Sequence, residues 1–481
     1  MEVKGAYTGM LFGTTNTMDN AEMELLQRKI TYRLYPSVSQ LVLLNDWLAL
    51  HCRTYNALLE EHQRRYAAGE RRLSFTAMCK TLTGWRSGVP ALDRLNAQSL
   101  QVTAKRLDLA FAAFFRRLKA GEEPGYPRFK ARQRFSGWGY KTYGDGWKLL
   151  QPVSYRANGK VRHGHRAVRL TGIGEIPLRG RARFPGAPVT AEVQHKAGKW
   201  YLSVTCDVVP ADVARKGGTE IGAYDWGVQT LLTLVTGDWR DGPVETIANP
   251  RWLKQKLAAL GDLQRTVSVE QTKAKVLLGL DPAAPIPKGV RLPVTPKLKR
   301  LYSQLRALHG KVARQRKDFA HKLTAQMVSR FGVLATEQLA PAKMVRRPEK
   351  VQDPVTGEYL PNGAQQAAGL HRGILDAAPS MLNRLLATKA EEAGSSFALA
   401  DTVRLKPTQR CHRCGTLVPK TLPEREHRCA CNCVCGRDEN AARTLLRWLT
   451  EGDFRPGTGP SASGRLETPP IAAAASAVWV E

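Results

Sequence analysis

The chain has 481 residues, 43% of them hydrophobic and 24% charged, which excludes a disordered protein and allows two to four domains with packed cores. Its 73 Lys and Arg outnumber 42 Asp and Glu, leaving a net charge of +31, an excess that calls for a polyanionic partner: nucleic acid first, an anionic membrane surface second. The sequence has no apolar run of about 18 residues, so no transmembrane helix is expected. Its first residues do not follow a basic stretch with an apolar one, so they are not read as a signal peptide. A reducing cytoplasmic setting is therefore expected, in which clustered cysteines bind metal rather than pair.

Residues 1–27 are expected to form a flexible leader. Alternation over residues 28–35 predicts a strand, and Pro36-Ser37 starts a helix running to about Arg65, with Leu41, Leu44, Trp47, Leu48, His51, Tyr55, Leu58 and Leu59 at helical spacing. A short segment around residues 75–85 precedes a second long helix over residues 96–119. Residues 124–135 read PGYPRFKARQRF, too rich in Pro and Gly for a regular helix start. There Arg128, Lys130, Arg132 and Arg134 interleave with Tyr126, Phe129 and Phe135, so cations can hold phosphates while rings stack on bases or sugars. From 137 to 209 short runs separated by turn residues predict a small β-barrel or sheet interrupted by the helical insert.

At Ile221 the pattern changes to a strand carrying Asp225, a Trp-Gly turn and a second strand. A lysine-rich helical region follows over residues 250–330, broken by prolines at 281–296. Residues 331–339 form a strand with Glu337 at its exit, residues 373–394 an amphipathic helix, and residues 397–403 a further strand. Six of the nine cysteines lie between Cys411 and Cys435, and a helix opens at Asp438 and runs over 440–449. The Pro-, Gly-, Ser- and Ala-rich tail from Arg455 is expected to be disordered.

Cys411-x2-Cys414 opens a metal-held loop, and four thiolates suffice for a tetrahedral zinc. Cys52, Cys79 and Cys206 are scattered and read as buried structural thiols, while His412 and His427 read as neighbours of the metal loop rather than ligands. Three acids, Asp225, Glu337 and Asp438, each stand at the end of a strand or the start of a helix. Converging carboxylates in a very basic chain suit two magnesium ions about 4 Å apart, the arrangement that cleaves phosphodiesters.

The ordered set of motifs resembles the TnpB proteins encoded by transposons and the compact type V CRISPR effectors. The residues that carry the resemblance are Asp225-Trp-Gly227, Thr336-Glu337, residues 369–376 and 386–391, Pro407 to Gly415 and residues 437–442, with residues 30–36 and 125–130 upstream. It covers residues 28–450. What it implies is an α/β multidomain protein with a split RNase H-fold (RuvC-like) nuclease domain over 213–406 and 436–454. A zinc ribbon at 407–435 that acts on target nucleic acid is inserted in it. Ahead of it stands a wedge-like β-barrel (28–36 and 123–212) with a helical recognition insert (37–122).

The implied activity is that of an RNA-guided DNA endonuclease. Guide RNA and target DNA are the partners, and a short flanking motif is read by protein. Asp225, Glu337 and Asp438 are the implied catalytic acids and Mg2+ ligands. The family's last zinc ligand stands seven residues before the final acid, which selects Cys431. Cys429 is its implied mate, and Cys429 with Cys433 is the sterically easier pair. Gly436 replaces an acid that the family often carries. The alternatives are an RNA-guided DNA-binding repressor of the same fold and a transposase; the motifs are common to transposon-encoded and CRISPR-associated members, and the oligomeric state stays open.

Overall fold

The computed structural model describes residues 25–452, apart from 152–153, 158–159, 164–165, 181–185, 288 and 422. The expected leader up to residue 24 and the expected tail from Arg455 lie outside the described residues. Residues 26 and 27, assigned to the leader from sequence, already belong to the first strand, Leu26–Leu34. The chain divides into two compact units, Met1–Val213 and Ala214–Glu481.

In the first unit seven strands form one antiparallel sheet in the order Gly137–Tyr140, Ala187–Lys196, Lys199–Val208, Leu26–Leu34, Gly174–Arg179, Ala167–Leu170 and Trp147–Leu150. The expected barrel is therefore not closed by a ladder: among the described residues, no pairing joins the first and last strands of that order. Four α-helices, Val38–Ala67, Phe75–Gly88, the short Pro90–Asp93 and Ala97–Lys119, stand in sequence between its strands Leu26–Leu34 and Gly137–Tyr140 among the described residues. Ser37 starts the first with a reciprocal capping box to Gln40, as Pro36-Ser37 predicts. The core gathers Trp47, Trp138 and Trp200, and His51 stacks on Trp138 at 5.5 Å while its Nδ1 meets the Thr103 hydroxyl at 2.9 Å. Burial, aided by nearby Arg106, pushes the His51 imidazole down to about 3, so it stays neutral. Cys52 and Cys206 are buried as expected; Cys79 is only half-buried.

In the second unit the strand order is Val244–Ala248, Thr230–Thr236, Glu220–Trp226, Phe331–Glu337, Ser396–Ala400. The first two pairings are antiparallel and the last two parallel. Strand alternation divides the residues between two cores. Tyr224, Leu232 and Leu334 pack on the helices Pro296–Arg330 and Pro379–Ala393. Ala223, Val235 and Ala335 pack on Leu445 and Leu446 of the helix Arg437–Glu451.

The single helix expected over 373–394 is two, Ala364–Ala377 and Pro379–Ala393. Proline disfavours helical geometry in the residue before it, and Ala378 adopts φ +52°, which turns the chain between them. The last helix begins at Arg437 rather than Asn440, so Asp438 lies in its first turn.

Candidate active site and metal centre

Period-two alternation decides where the acids point. Asp225 shares a strand face with Ala223, and Glu337 shares one with Ala335; both alanines lie in the core beneath helix Arg437–Glu451. Asp438 stands in the first turn of that helix. The two strands run parallel in register, Ala223 opposite Ala335, and the Thr336 hydroxyl donates to the Tyr224 carbonyl at 2.8 Å just before the acids. Asp225 and Glu337 are buried, and Asp438 is half-buried with Arg437 Nε at 3.4 Å from its Oδ1.

Burial raises the Asp225 carboxyl well above the ordinary carboxylate range; the charges of Glu337 and Asp438 raise it further, and Arg437 and the Trp226 backbone N–H oppose the rise. Burial raises Glu337 too, and the Thr402 hydroxyl opposes it. The trio is a loose group rather than a cage, since it is not among the clusters of the described residues whose ligand atoms all lie within 4.8 Å of one another. Gly227 makes the turn beside it possible: a Cβ there would stand 2.5 Å from the Thr230 carbonyl oxygen and 3.9 Å from Asp438 Oδ2.

Four of the six clustered thiols come together. Cys411 and Cys431 lie 3.6 Å apart, Cys414 and Cys429 3.5 Å apart, and all four sulfurs fall within 4.8 Å of one another. Four thiolates at about 2.3 Å from a zinc ion stand about 3.8 Å apart, so the set fits that ion. Burial pushes the Cys414 thiol up, but hydrogen bonds from the Thr416 side chain and backbone and from Cys429 and Cys431 bring it down to about 6. Cys433 does not join this set. It is buried against His412 instead, its Sγ 3.8 Å from the His412 Nδ1, and it also groups with Cys411 and His427. His427 is fully buried with Nδ1 against the Lys420 ammonium.

Asn440 belongs to the motif over residues 437–442, which by itself gives it no role. It is fully buried and ties the knuckle to the helix: its Nδ2 donates to the Arg410 carbonyl at 2.7 Å, and its Oδ1 accepts from the His412 backbone N–H at 3.1 Å. The signal that could have found it is an amide two residues after an acid at a helix start, with a cysteine knuckle just upstream. Asp376, the last residue of the motif over 369–376, is buried and accepts from Leu253 N at 2.9 Å and from Arg316 at 2.7 Å.

In the first unit, Tyr126, Arg128, Phe129, Lys130, Arg132 and Arg134 are all exposed on one loop. Asn56 pins that loop by pairing with both backbone groups of Lys130, at 2.8 and 3.0 Å. Arg132 donates to the Asn45 carbonyl at 3.1 Å. The ring of Phe135, grouped with the loop aromatics from sequence, is buried near Tyr55; as part of the core it is closed to stacking on a ligand. Tyr126 is edge-on to Phe111 and Phe114 at 5.6 and 5.5 Å.

Residues 203–347, which include Asp225 and Glu337, match the OrfB_IS605 family model, described as a probable transposase. Residues 380–445, which include the cysteines and Asp438, match a model described as Cas12f1-like, TNB domain. A Streptomyces pristinaespiralis protein named "Putative RNA-guided DNA endonuclease" is 27% identical over 431 residues, covering 88% of this chain and 90% of that protein. These matches support a TnpB or compact type V family for this chain. A second relative, from Escherichia coli (strain K12), carries the same name with the suffix InsQ; it is 25% identical over 400 residues, 82% of this chain and 86% of its own. The protein of a Cas12f1–sgRNA–target DNA complex aligns with 88% of this chain and 99% of its own, at 11% identity and a TM-score of 0.48. No described helix is long and apolar enough to cross a membrane.

Proposed function

We propose that this chain is an RNA-guided DNA endonuclease whose catalytic group is Asp225, Glu337 and Asp438. The observation that carries this reading is the placement of three acids from three distant segments on one face of one sheet, where burial and mutual repulsion hold Asp225 well above the ordinary carboxylate range. An acidic cluster of this kind, with Arg437 as its cationic neighbour, is a set of hard oxygen donors. The spread of the trio suits two Mg2+ ions sharing the carboxylates better than one ion enclosed by all three. When bound, such ions supply water activation and charge stabilisation at the leaving oxygen. The chain's own part is to hold Asp225 and Glu337 in fixed parallel register and to deliver Asp438 from the helix.

On this reading the five-stranded sheet is a split RNase H-fold (RuvC-like) core over 213–406 and 436–454. The zinc ribbon at 407–435 is held by Cys411, Cys414, Cys429 and Cys431. The first unit provides the wedge-like sheet (28–36 and 123–212) and the recognition helices (37–122). Its exposed loop carrying Tyr126, Arg128, Phe129, Lys130, Arg132 and Arg134 meets guide RNA or its duplex with target DNA. The net charge of +31 makes that binding steeply salt-dependent.

The test is to purify the protein with the RNA it carries and sequence that RNA. A target matched to its guide segment is then challenged in Mg2+. Cleavage that requires the RNA and the match, and that Asp225→Ala abolishes while RNA-dependent DNA binding persists, is the expected result. Unchanged cleavage by Asp225→Ala would remove the catalytic assignment. Cleavage without RNA would favour a transposase.

A further inference from the structure

Where the Asp225 strand ends, the chain turns through Gly227, Val228 and Gln229 and forms one wall of a cleft of about 330 Å3. The segment around Arg251–Leu257 and the helix Ala364–Ala377 form the others. This wall is held rigidly. Asn249 Nδ2 donates to the Val228 carbonyl at 2.8 Å, and Asn249 Oδ1 accepts from the Arg251 backbone N–H at 3.1 Å. Arg251 takes the left-handed φ of +51°, an uncommon conformation for a residue with a Cβ. Asp376, buried at the base, accepts from Leu253 N and from Arg316, so the one acid lining the cleft is already engaged.

The heads lining the opening are cationic. Among the described residues Lys254 and Arg372 make no ion pair, and the Arg251 guanidinium reaches the Gln229 carbonyl at 3.4 Å. Val228, Leu253 and Leu257 add apolar surface. The helix presents Gly369 and Gly373, one turn apart, where side chains would fill the space. At Gly373 the close packing is against Val228, whose Cγ1 would lie 2.5 Å from an added Cβ. At Gly369 an added Cβ would meet nothing within 4 Å, so the void there is a real opening.

We propose that this cleft seats one nucleotide of the DNA strand being cut, its phosphates on Lys254, Arg372 and Arg251 and its sugar and base against Val228, Leu253 and Leu257. The proposal rests on the nuclease reading above and deepens it: Val228 follows Asp225 by three residues at the exit of the same strand, so a DNA strand held there lies at the strand end that carries Asp225. Free cations match phosphates, an apolar wall matches a base face, and the volume is that of a small-ligand site.

The test uses the RNA-loaded protein. Binding of a short labelled oligodeoxythymidine is measured by anisotropy in an Asp225→Asn background, and single-turnover cleavage of a matched target in the wild-type background. Three variants are compared: Lys254→Glu with Arg372→Glu, Gly369→Trp to occlude the opening, and Gly369→Ala as the control that adds only a Cβ. The charge-reversed and occluded variants are expected to weaken oligonucleotide binding about tenfold or more and to raise the half-saturating target concentration similarly, with Gly369→Ala unchanged. RNA content per protein and melting temperature should stay at wild-type levels. Binding by both altered variants within about twofold of wild type would overturn the proposal. So would a loss that follows loss of copurified RNA, which would assign the cations to the guide. If the wild type cleaves no matched target, the nuclease reading fails by itself, and the oligonucleotide arm still decides whether the cleft holds a single strand.

Discussion

Asn440 grips His412 twice, accepting from its backbone N–H at 3.1 Å and lying 3.0 Å from its ring Nδ1, while its own amide group donates to the Arg410 carbonyl at 2.7 Å. The same side chain thus fixes the residues on both sides of Cys411 and stands two positions after Asp438. Removing it with Asn440→Ala leaves the buried His412 N–H without its acceptor, at about 1–3 kcal/mol, while the Arg410 carbonyl keeps the Thr444 hydroxyl at 3.1 Å. Asn440→Ala should therefore destabilise the second unit by about 1–3 kcal/mol and weaken zinc retention against a chelator. Denaturant titration with zinc release followed by a colorimetric chelator checks both. Unchanged chelator resistance would show that the amide serves the helix alone.

Asp225 yields a stability prediction whose sign follows from its environment. Its carboxyl is raised in the folded protein by burial and then by Glu337 and Asp438. Between the ordinary carboxylate range and that raised value, the folded state holds a proton the unfolded state has lost. Stability of the metal-free protein therefore falls as pH rises through that window, and at neutral pH the ionised form is a cost. Asp225→Asn should raise the melting temperature of the metal-free protein at neutral pH, about 2–4 °C per kcal/mol relieved, and the gain should vanish at acidic pH. Mg2+ should raise the melting temperature of the wild type and not of the variant. Thermal scans in chelator and in Mg2+ across pH provide the comparison; a destabilised variant at neutral pH would refute the repulsion.

Much of this site was readable as pattern. Alternation puts Asp225 on the face of Ala223 and Glu337 on that of Ala335, and an apolar run with an acid at its exit is visible in a string of letters. What pattern does not carry is the third dimension: residues 225, 337 and 438 meet because the helix from Arg437 packs its Leu445 and Leu446 on that face. Pro379 marks the break at Ala378 in the letters, while helical spacing runs on both sides of it and reads as one helix. Phe135 stands among exposed cations in sequence, but the loop ends there and its ring turns into the core. The selection of Cys431 followed the family's spacing to Asp438, because alternation along 429–435 treats all four odd-numbered cysteines alike.

The thiol grouping separates Cys431 from Cys433 experimentally. Cys431 lies 3.6 Å from Cys411 within the four-sulfur set, whereas Cys433 packs on His412 outside it. Cys431→Ser should lower zinc content well below one ion per chain, and Cys433→Ser should keep the zinc. Cobalt substitution reads the ligands directly: four-thiolate charge-transfer absorption is expected for the wild type and for Cys433→Ser, and a weakened, shifted band for Cys431→Ser. The reverse pattern would make Cys433 the ligand.

Gly227 couples the turn after Asp225 to the position of Asp438. A Cβ at this residue would stand 2.5 Å from the Thr230 carbonyl oxygen, so Gly227→Ala must move backbone, and the carbonyl belongs to the strand Thr230–Thr236 that pairs Thr233 with Asp225. The same Cβ would lie 3.9 Å from Asp438 Oδ2, which is ordinary contact and costs little. The harm therefore enters through displacement of Asp225 relative to its partners. Misplacing a catalytic group by about 1 Å lowers rates on the order of 100-fold. Gly227→Ala should show a loss of that order in single-turnover cleavage, with RNA content, zinc content and target binding kept. Higher Mg2+ should recover part of the rate, because a displaced carboxylate weakens ion binding before it blocks chemistry. Wild-type cleavage by this variant would mean that the turn tolerates the shift and that Asp225 is held by its strand alone.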